Sequence, residues 1–256
     1  MRRTMSSTTT PPPSPVPPAL TGAAPYVAPQ YLTESTVEML RDWYHGGPVR
    51  PLQLRDFLRP EFATDLAAAM RAIPTWSRHA AKYEGRLGKT EYWDDAVDEQ
   101  DEVTIAQFVV KDIHALLDEG AMDAAHQRTL QEFFVFSVLS DALRDWISSG
   151  TDLVLRKHTT MELAAYRRSD ALGAHQDLVP GRVLAVNFYL DEVYTPQAGG
   201  RLAFRNGEDT EFFVEPLFNS VSLMPIREDC WHWVEPFTRD DVGRYTIAMG
   251  QHLEGS

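Results

Sequence analysis

The run Gly173-Ala174-His175-Gln176-Asp177-Leu178 carries the most informative chemistry in this 256-residue chain. Read as a strand, it projects His175 and Asp177 from one face, because residues two apart share a face. An imidazole beside a carboxylate is two thirds of a 2-His-1-carboxylate triad, the set that holds Fe(II) and leaves one face of the ion open. The third ligand must come from elsewhere. His232 is the candidate, in the strand-like Cys230-Trp231-His232-Trp233-Val234 that follows a turn-rich stretch at 225–229. Its flanking tryptophans equally suit a buried structural histidine. His45, His79, His114 and His126 fall in helical or loop regions and His158 in a polar connection, all read as surface or packing residues. His252 follows the last clear strand.

Arg244 opens the strand-like Tyr245-Thr246-Ile247-Ala248-Met249 and shares a face with Thr246. A planar guanidinium holds a carboxylate through two parallel hydrogen bonds, and a threonine hydroxyl adds a third. An edge-strand arginine facing water is the alternative. Beside an HxD pair and a later histidine, Arg244 makes sense as the anchor of a dicarboxylate next to a metal.

These residues need a scaffold. Residues 1–30 hold eight of the seventeen prolines and a Ser/Thr run, a composition that reads as a disordered leader. Residues 31–256 read as a single domain, with a helical scaffold and flap over 31–150 and a β core over 151–256. Thr33 or Ser35 caps a first helix that ends near Gly46-Gly47-Pro48, a short extended run covers 51–54, and a second helix starts at Pro60. Residues 76–105, charged and aromatic, read as a long flap. A third helix is expected over 122–147, its face built from Leu130, Phe133, Phe134, Val138, Ala142 and Trp146. After Gly150 the period becomes two. Short runs at 153–155, 163–166, 183–190, 201–204, 212–214, 220–224, 231–234 and 245–249 predict a small barrel or two-sheet jelly roll. The fold class is α+β, mainly β, with helices packed on one sheet.

At this point the sequence resembles the iron(II)- and 2-oxoglutarate-dependent oxygenases, in their prolyl-4-hydroxylase-like branch. The resemblance is clear over 153–252 and looser at Leu54-Arg55-Asp56-Phe57-Leu58, which looks like the lead into the family's first scaffold helix. Tyr166 stands nine residues before His175, with Ser169 at the family's usual glycine. Arg182 to Asp191 looks like the family's Arg-x-x-Thr-x-x-x-Tyr-Leu-Asn strand, with Ala185 for the threonine and Asn187 for an apolar residue. Gly199-Gly200-Arg201-Leu202, His232-x-Val234 and Arg244-x-Thr246 are similar to three further motifs. The resemblance implies a double-stranded β-helix, cupin-like and buttressed by the N-terminal helices. It also implies Fe(II) on His175, Asp177 and His232. The far carboxylate of 2-oxoglutarate would meet Arg244, with Thr246, Tyr189 and Tyr166 donating, Leu202 and Val234 lining the slot and Asn187 touching cosubstrate or substrate. O2 is the other cosubstrate, with ascorbate as reductant. Asp177 argues against halogenation, since related halogenases have a small residue there.

The expected reaction is oxidative decarboxylation of 2-oxoglutarate to succinate and CO2, coupled to C–H hydroxylation. Its alternatives are desaturation or cyclisation by the same chemistry, a non-catalytic binder of metal or small acid on this fold, and a zinc hydrolase that would have no use for Arg244-x-Thr246. The expected partner is an amino acid, free or peptide-bound, or a related small metabolite. Arg182, the flap and Arg201 are candidates for recognising it, Arg182 being equally read as a surface residue. Trp231 and Trp233 either wall the pocket or pack the core. Lys plus Arg number 24 against 37 Asp plus Glu, and a net charge of -13 without a basic cluster argues against nucleic acid. No GxGxxG or P-loop appears, and no apolar run suits a secretory signal or membrane span. The lone Cys230 excludes an internal disulfide and suits a reducing, cytoplasmic setting. Oligomeric state is not legible.

Overall fold

Much of the proline-rich start is folded in the computed structural model, which describes residues 15–84, 88–100, 102–118, 120–157 and 159–255. The leader expectation is therefore corrected for its second half. Pro18 and Pro29 open short 3-10 turns, and Leu20, Ala23 and Val27 are fully buried. Prolines at first-turn positions cost no hydrogen bond, so they punctuate this segment without unfolding it. Ala28 N donates to Phe57 O at 2.8 Å, and Trp146 Nε1 donates to Tyr31 O at 2.9 Å. The rest of the leader, residues 1–14, lies outside the described residues, as do Gly85 of the flap and His158.

Helix α1 (Glu34–His45) starts where the Thr33 hydroxyl accepts from Thr36 N at 3.3 Å. Strand β1 (Leu52–Leu54) and helix α2 (Pro60–Arg71) follow, Pro60 sitting in the first turn. The expected flap is instead largely a hairpin, β2 (Trp76–Glu84) and β3 (Gly88–Trp93), paired on through β2 to β4 (Ile105–Val110). His79 is thus a strand residue. Helix α3 (Ile113–Leu117) precedes the expected third helix, which is broken: α4 (Ala124–Phe134), a π turn at Val135–Leu139, then α5 (Ala142–Thr151). The Ser137 and Ser140 hydroxyls donate back to Phe133 O and Phe136 O, competing with the helical ladder at the break. The predicted apolar face survives the break, with Leu130, Phe133, Val138, Ala142 and Trp146 buried.

The remaining strands are β5 (Thr160–Tyr166), β6 (Ala171–His175), β7 (Arg182–Tyr189), β8 (Leu202–Arg205), β9 (Glu211–Val214), β10 (Ser220–Pro225), β11 (Trp231–Val234) and β12 (Gly243–His252). Residues 153–155 form no strand beyond an isolated bridge from Leu155 to Leu253, and His252 is the last residue of β12. All pairings are antiparallel, in the order β1-β10-β7-β12-β5-β4-β6-β11-β8-β9. Strand β4 pairs with β5 through Phe108 and Val109 and with β6 through Ile105 and Ala106, so it carries one half of the sheet into the other. The result is a nearly closed, barrel-like sheet, a double-stranded β-helix with helices packed on one side.

Period two sorts the side chains. Leu163 and Ala165, Val186 and Phe188, Val221 and Leu223, and Ile247 and Met249 face the helices, where they meet Phe57, Phe133 and Trp146. The alternate positions, Ala164 and Tyr166, Ala185 and Tyr189, Thr246 and Ala248, line a cavity of about 450 Å³ inside the sheet.

Candidate active site

His175 closes β6 and His232 lies directly across from it on β11. Asp177 lies two residues beyond the end of β6, so its place beside His175 comes from the chain after the strand and not from strand alternation. His175 Nε2 is 3.8 Å from Asp177 Oδ1, His232 Nε2 is 3.7 Å from Asp177 Oδ2, and one ligand atom from each residue lies within 4.8 Å of the others. Ligand atoms around a first-row ion with bonds near 2 Å sit about 3–3.5 Å apart, so a small side-chain rotation closes this set. The donor set fits Fe(II). Among the described residues it is the one His/Cys/Asp/Glu cluster so arranged. His175 Nδ1 meets Gly173 O at 2.8 Å, which commits that nitrogen as donor and turns the Nε2 lone pair to the cluster. Burial, with His175 beside it, pushes His232 down to about 3, so its imidazole is neutral and free to ligate. Burial works to raise the Asp177 carboxyl, yet it lies below its usual range, and Arg182, charged whatever the histidines carry, holds it ionised.

Arg182 opens β7 and lines the same cavity, its NH1 group 2.9 Å from Asp177 Oδ2 and its NH2 group 3.1 Å from Thr160 Oγ1. The surface alternative for this residue does not hold. Gly250 makes room for it: a Cβ there would stand 2.6 Å from Arg182 Nε.

Arg244 lies at the other end of the cavity, 3% exposed. Its Nε donates to Gly200 O and its NH1 group to Thr246 Oγ1 at 3.3 Å, while the guanidinium carbon sits 4.5 Å from the Tyr166 ring centre and 5.7 Å from that of Tyr189. Among the described residues no carboxylate pairs with that guanidinium. Asp191 instead takes the backbone, accepting from Arg244 N at 2.7 Å and from Arg239 at 2.9 Å. This clamp holds Arg244 at φ +49°, in a left-handed conformation within a bulge of β12. Gly200 has φ +68°, and a Cβ there would lie 2.9 Å from Arg244 Cδ, so the Gly-Gly turn is shaped around the arginine. A buried cation lacking a counter-ion is costly, and a ligand carboxylate supplies one.

Around it, Tyr189 OH is 3.0 Å from Ser222 Oγ, Asn187 donates to Ser222 at 3.3 Å, and Tyr166 OH donates to Gln107 Oε1 at 2.8 Å. Burial raises both tyrosines above their usual range, so both keep their protons. Leu202, Val234 and Asn187 line the cavity. Trp231 and Trp233 do not: alternation turns them to the outer face of β11, opposite His232 and Val234, with Trp231 39% exposed. Arg201 is likewise turned away, paired with Glu235 and stacked on Phe213. Sequence reasoning missed Gln107, Ser222, Glu162 and Lys89 as lining or supporting residues. The signal for Gln107 and Ser222 was a polar residue flanked by apolar ones, Ile-Ala-Gln-Phe-Val-Val and Val-Ser-Leu-Met.

Residues 161–249 match the family model of the 2OG-Fe(II) oxygenase superfamily. No curated protein matches the chain. Among solved structures, a Pseudomonas putida prolyl-4-hydroxylase is similar at 20% identity and TM-score 0.56, over 85% of this chain and 98% of its own. A Trichoplax adhaerens prolyl hydroxylase, in complex with a hypoxia inducible factor peptide fragment, is similar at 17% identity and TM-score 0.59, over 86% and 90%. The epimerase SnoN from nogalamycin biosynthesis is similar at 11% identity and TM-score 0.55, over 86% and 83%. At these identities the structures speak for the fold, and the motif-bearing segment speaks for the family. Residues 161–249 thus carry the segment of a 2OG-Fe(II) oxygenase, on a fold similar to that of the prolyl-4-hydroxylases, and the site that segment builds is that of an oxygenase working with Fe(II), 2-oxoglutarate and O2.

Proposed function

We propose that the protein couples the conversion of 2-oxoglutarate to succinate and CO2 with hydroxylation of a C–H bond in an amino acid, free or within a peptide, or a related small metabolite. The observation that carries this reading is one cavity with His175, Asp177 and His232 at one end and an uncompensated, buried Arg244 at the other. Bound together, Fe(II), 2-oxoglutarate and O2 supply the oxidising power. The chain's own residues bind and orient. His175, Asp177 and His232 would hold the ion, which supplies the Lewis-acidic, redox-active centre when bound. Arg244 would take the far carboxylate of 2-oxoglutarate in a two-pronged hydrogen bond, with Thr246 and Tyr189 donating hydrogen bonds around it and Tyr166, whose OH donates to Gln107, walling the slot with its ring. Leu202 and Val234 flank the slot and exclude water, and Asn187 reaches cosubstrate or substrate from β7. An intact Asp177 keeps a carboxylate where halide would need space, which favours oxygen transfer. The peptide held by the Trichoplax relative supports peptide-bound substrates beside free ones.

The test is succinate formation from 2-oxoglutarate by the full chain with Fe(II), O2 and ascorbate across amino-acid and peptide candidates. Substrate-stimulated succinate together with a product 16 mass units heavier is expected, the mass of one inserted oxygen atom being about 16. Zn(II)-supported hydrolysis in place of Fe(II)-dependent turnover overturns it.

A further inference from the structure

The cavity that the metal cluster lines also holds a carboxylate that neither the ion nor the cosubstrate needs. Glu162 lies on β5, on the face it shares with Ala164 and Tyr166, and is accessible from the cavity. Its Oε1 accepts from Gln107 Nε2 at 3.1 Å. The orientation of that amide is fixed from its other end, because Gln107 Oε1 already accepts from Tyr166 OH. The chain of hydrogen bonds from Tyr166 through Gln107 is therefore satisfied with Glu162 as a pure acceptor.

What Glu162 lacks is a cation. Among the described residues no lysine, arginine or histidine lies within ion-pair distance of it. Arg182 is committed to Asp177 and Thr160, and Lys89, which also lines the cavity, pairs with Glu91 at 2.7 Å. Asp177 adds a second negative charge to the same space. Glu162 stays exposed at the cavity wall; packing around its carboxyl raises it above its usual range, Lys89 and Arg182 act against that from a distance, and an incoming cation would act in their direction at close range.

We propose that Glu162 is the substrate-recognition residue of this oxygenase, and that it pairs with a protonated nitrogen of the substrate, an ammonium or guanidinium. This assignment rests on the oxygenase reading and narrows it to cationic substrates. A cation at Glu162 is held inside the cavity that the metal cluster faces, so that its carbon chain lies beside the metal side of the site.

The experiment is calorimetric titration of the full chain, loaded anaerobically with Fe(II) and 2-oxoglutarate so that no turnover occurs. The probes are lysine, arginine, proline, leucine, cadaverine and agmatine, each beside its N-acylated, uncharged-nitrogen counterpart. At least one cationic probe is expected to bind, its acylated counterpart about thirtyfold more weakly or worse, and Glu162→Gln to lose the same factor. Glu162→Gln is expected to keep its 2-oxoglutarate affinity within about threefold, since that cosubstrate is held elsewhere. Lysine against arginine separates ammonium from guanidinium. Equal binding of cationic and acylated probes, unchanged binding by Glu162→Gln, or no binding by any cationic probe overturns the proposal. If Glu162→Gln fails to fold, the acylation comparison on the unmodified protein decides. Failure of 2-oxoglutarate itself to bind would instead sink the oxygenase site, a separate outcome.

Discussion

Replacing Arg244 with methionine is expected to separate cosubstrate affinity from stability. The arginine is 3% exposed, and its side-chain partners are Gly200 O, Thr246 Oγ1 and the two tyrosine rings. Methionine keeps most of the packing against those rings. It gives up two charge-assisted hydrogen bonds, about 1.5–3 kcal/mol each, and a ring contact worth roughly 2 kcal/mol. It also removes a buried charge whose desolvation costs several kcal/mol. These terms nearly cancel, so the melting temperature of the free protein should move by less than about 6 °C. Cosubstrate binding has no such cancellation. Removing one partner of a buried, hydrogen-bonded ion pair costs about 3–5 kcal/mol, and each 1.4 kcal/mol is tenfold, which predicts a Kd for 2-oxoglutarate raised by between roughly a hundredfold and a few thousandfold. Isothermal titration of Fe(II)-loaded protein in the absence of O2 measures it, with calorimetric melting alongside. A Kd within about tenfold of the unmodified protein would refute Arg244 as the carboxylate anchor.

Other perturbations follow from the same geometry. Arg182→Gln removes the 2.9 Å partner of Asp177 and should weaken metal binding about ten- to a hundredfold by competitive chelator titration; an unchanged affinity would leave Arg182 without a role at the ion. Gly200→Ala forces a Cβ against Arg244 Cδ at φ +68° and should cost about 1–3 kcal/mol in urea unfolding, with weaker 2-oxoglutarate binding. Burial, with Asp229 beside it, pushes the Cys230 thiol up to about 11. The folded state thus favours the protonated thiol, a preference complete below the ordinary thiol range and lost only as pH rises through about 11. Iodoacetamide should therefore label native protein at pH 8 far more slowly than urea-unfolded protein, and equal rates would contradict the buried thiol.

The two-residue period was enough to find β7, β10 and β12, because one face of each packs on helices and the other on the cavity, and β11, whose cavity face alternates with an outer face. It was not enough for β2 and β3. Their Ser-Arg-His-Ala-Ala-Lys stretch has few β-branched residues, and both Ala80 and Ala81 are fully buried, so no alternation shows. The proline count misled at 15–30 for a related reason: composition reports average solvation, whereas Leu20, Ala23 and Val27 are placed by two 3-10 turns and by pairing with Phe57 and Leu58. Tryptophan size suggested a pocket wall at 231 and 233, yet the alternation that brings His232 inward must turn its neighbours out.

Where sequence rules fail at the site itself, the failures share a cause. Arg244 was placed on a regular strand, and its facing of Thr246 came out right, but the residue sits at positive φ in a bulge, with its backbone held by Asp191 and its side chain by a glycine turn. Asp177 meets His175 from beyond the strand end. Each departure spends local regularity to aim a charged group at a cavity, and each is offset by other contacts: Asp191 and Gly200 for one, Arg182 for the other. The partners of Arg244 lie 53 and 44 residues away along the chain, beyond any local window of sequence, whereas Arg182 stands five residues from Asp177 and is placed beside it by the turn into β7. Glu162 completes the pattern from the opposite direction. Its strand is regular and its alternation legible, but what makes it informative is the cation that this chain leaves out, and only the assembled cavity exposes that omission.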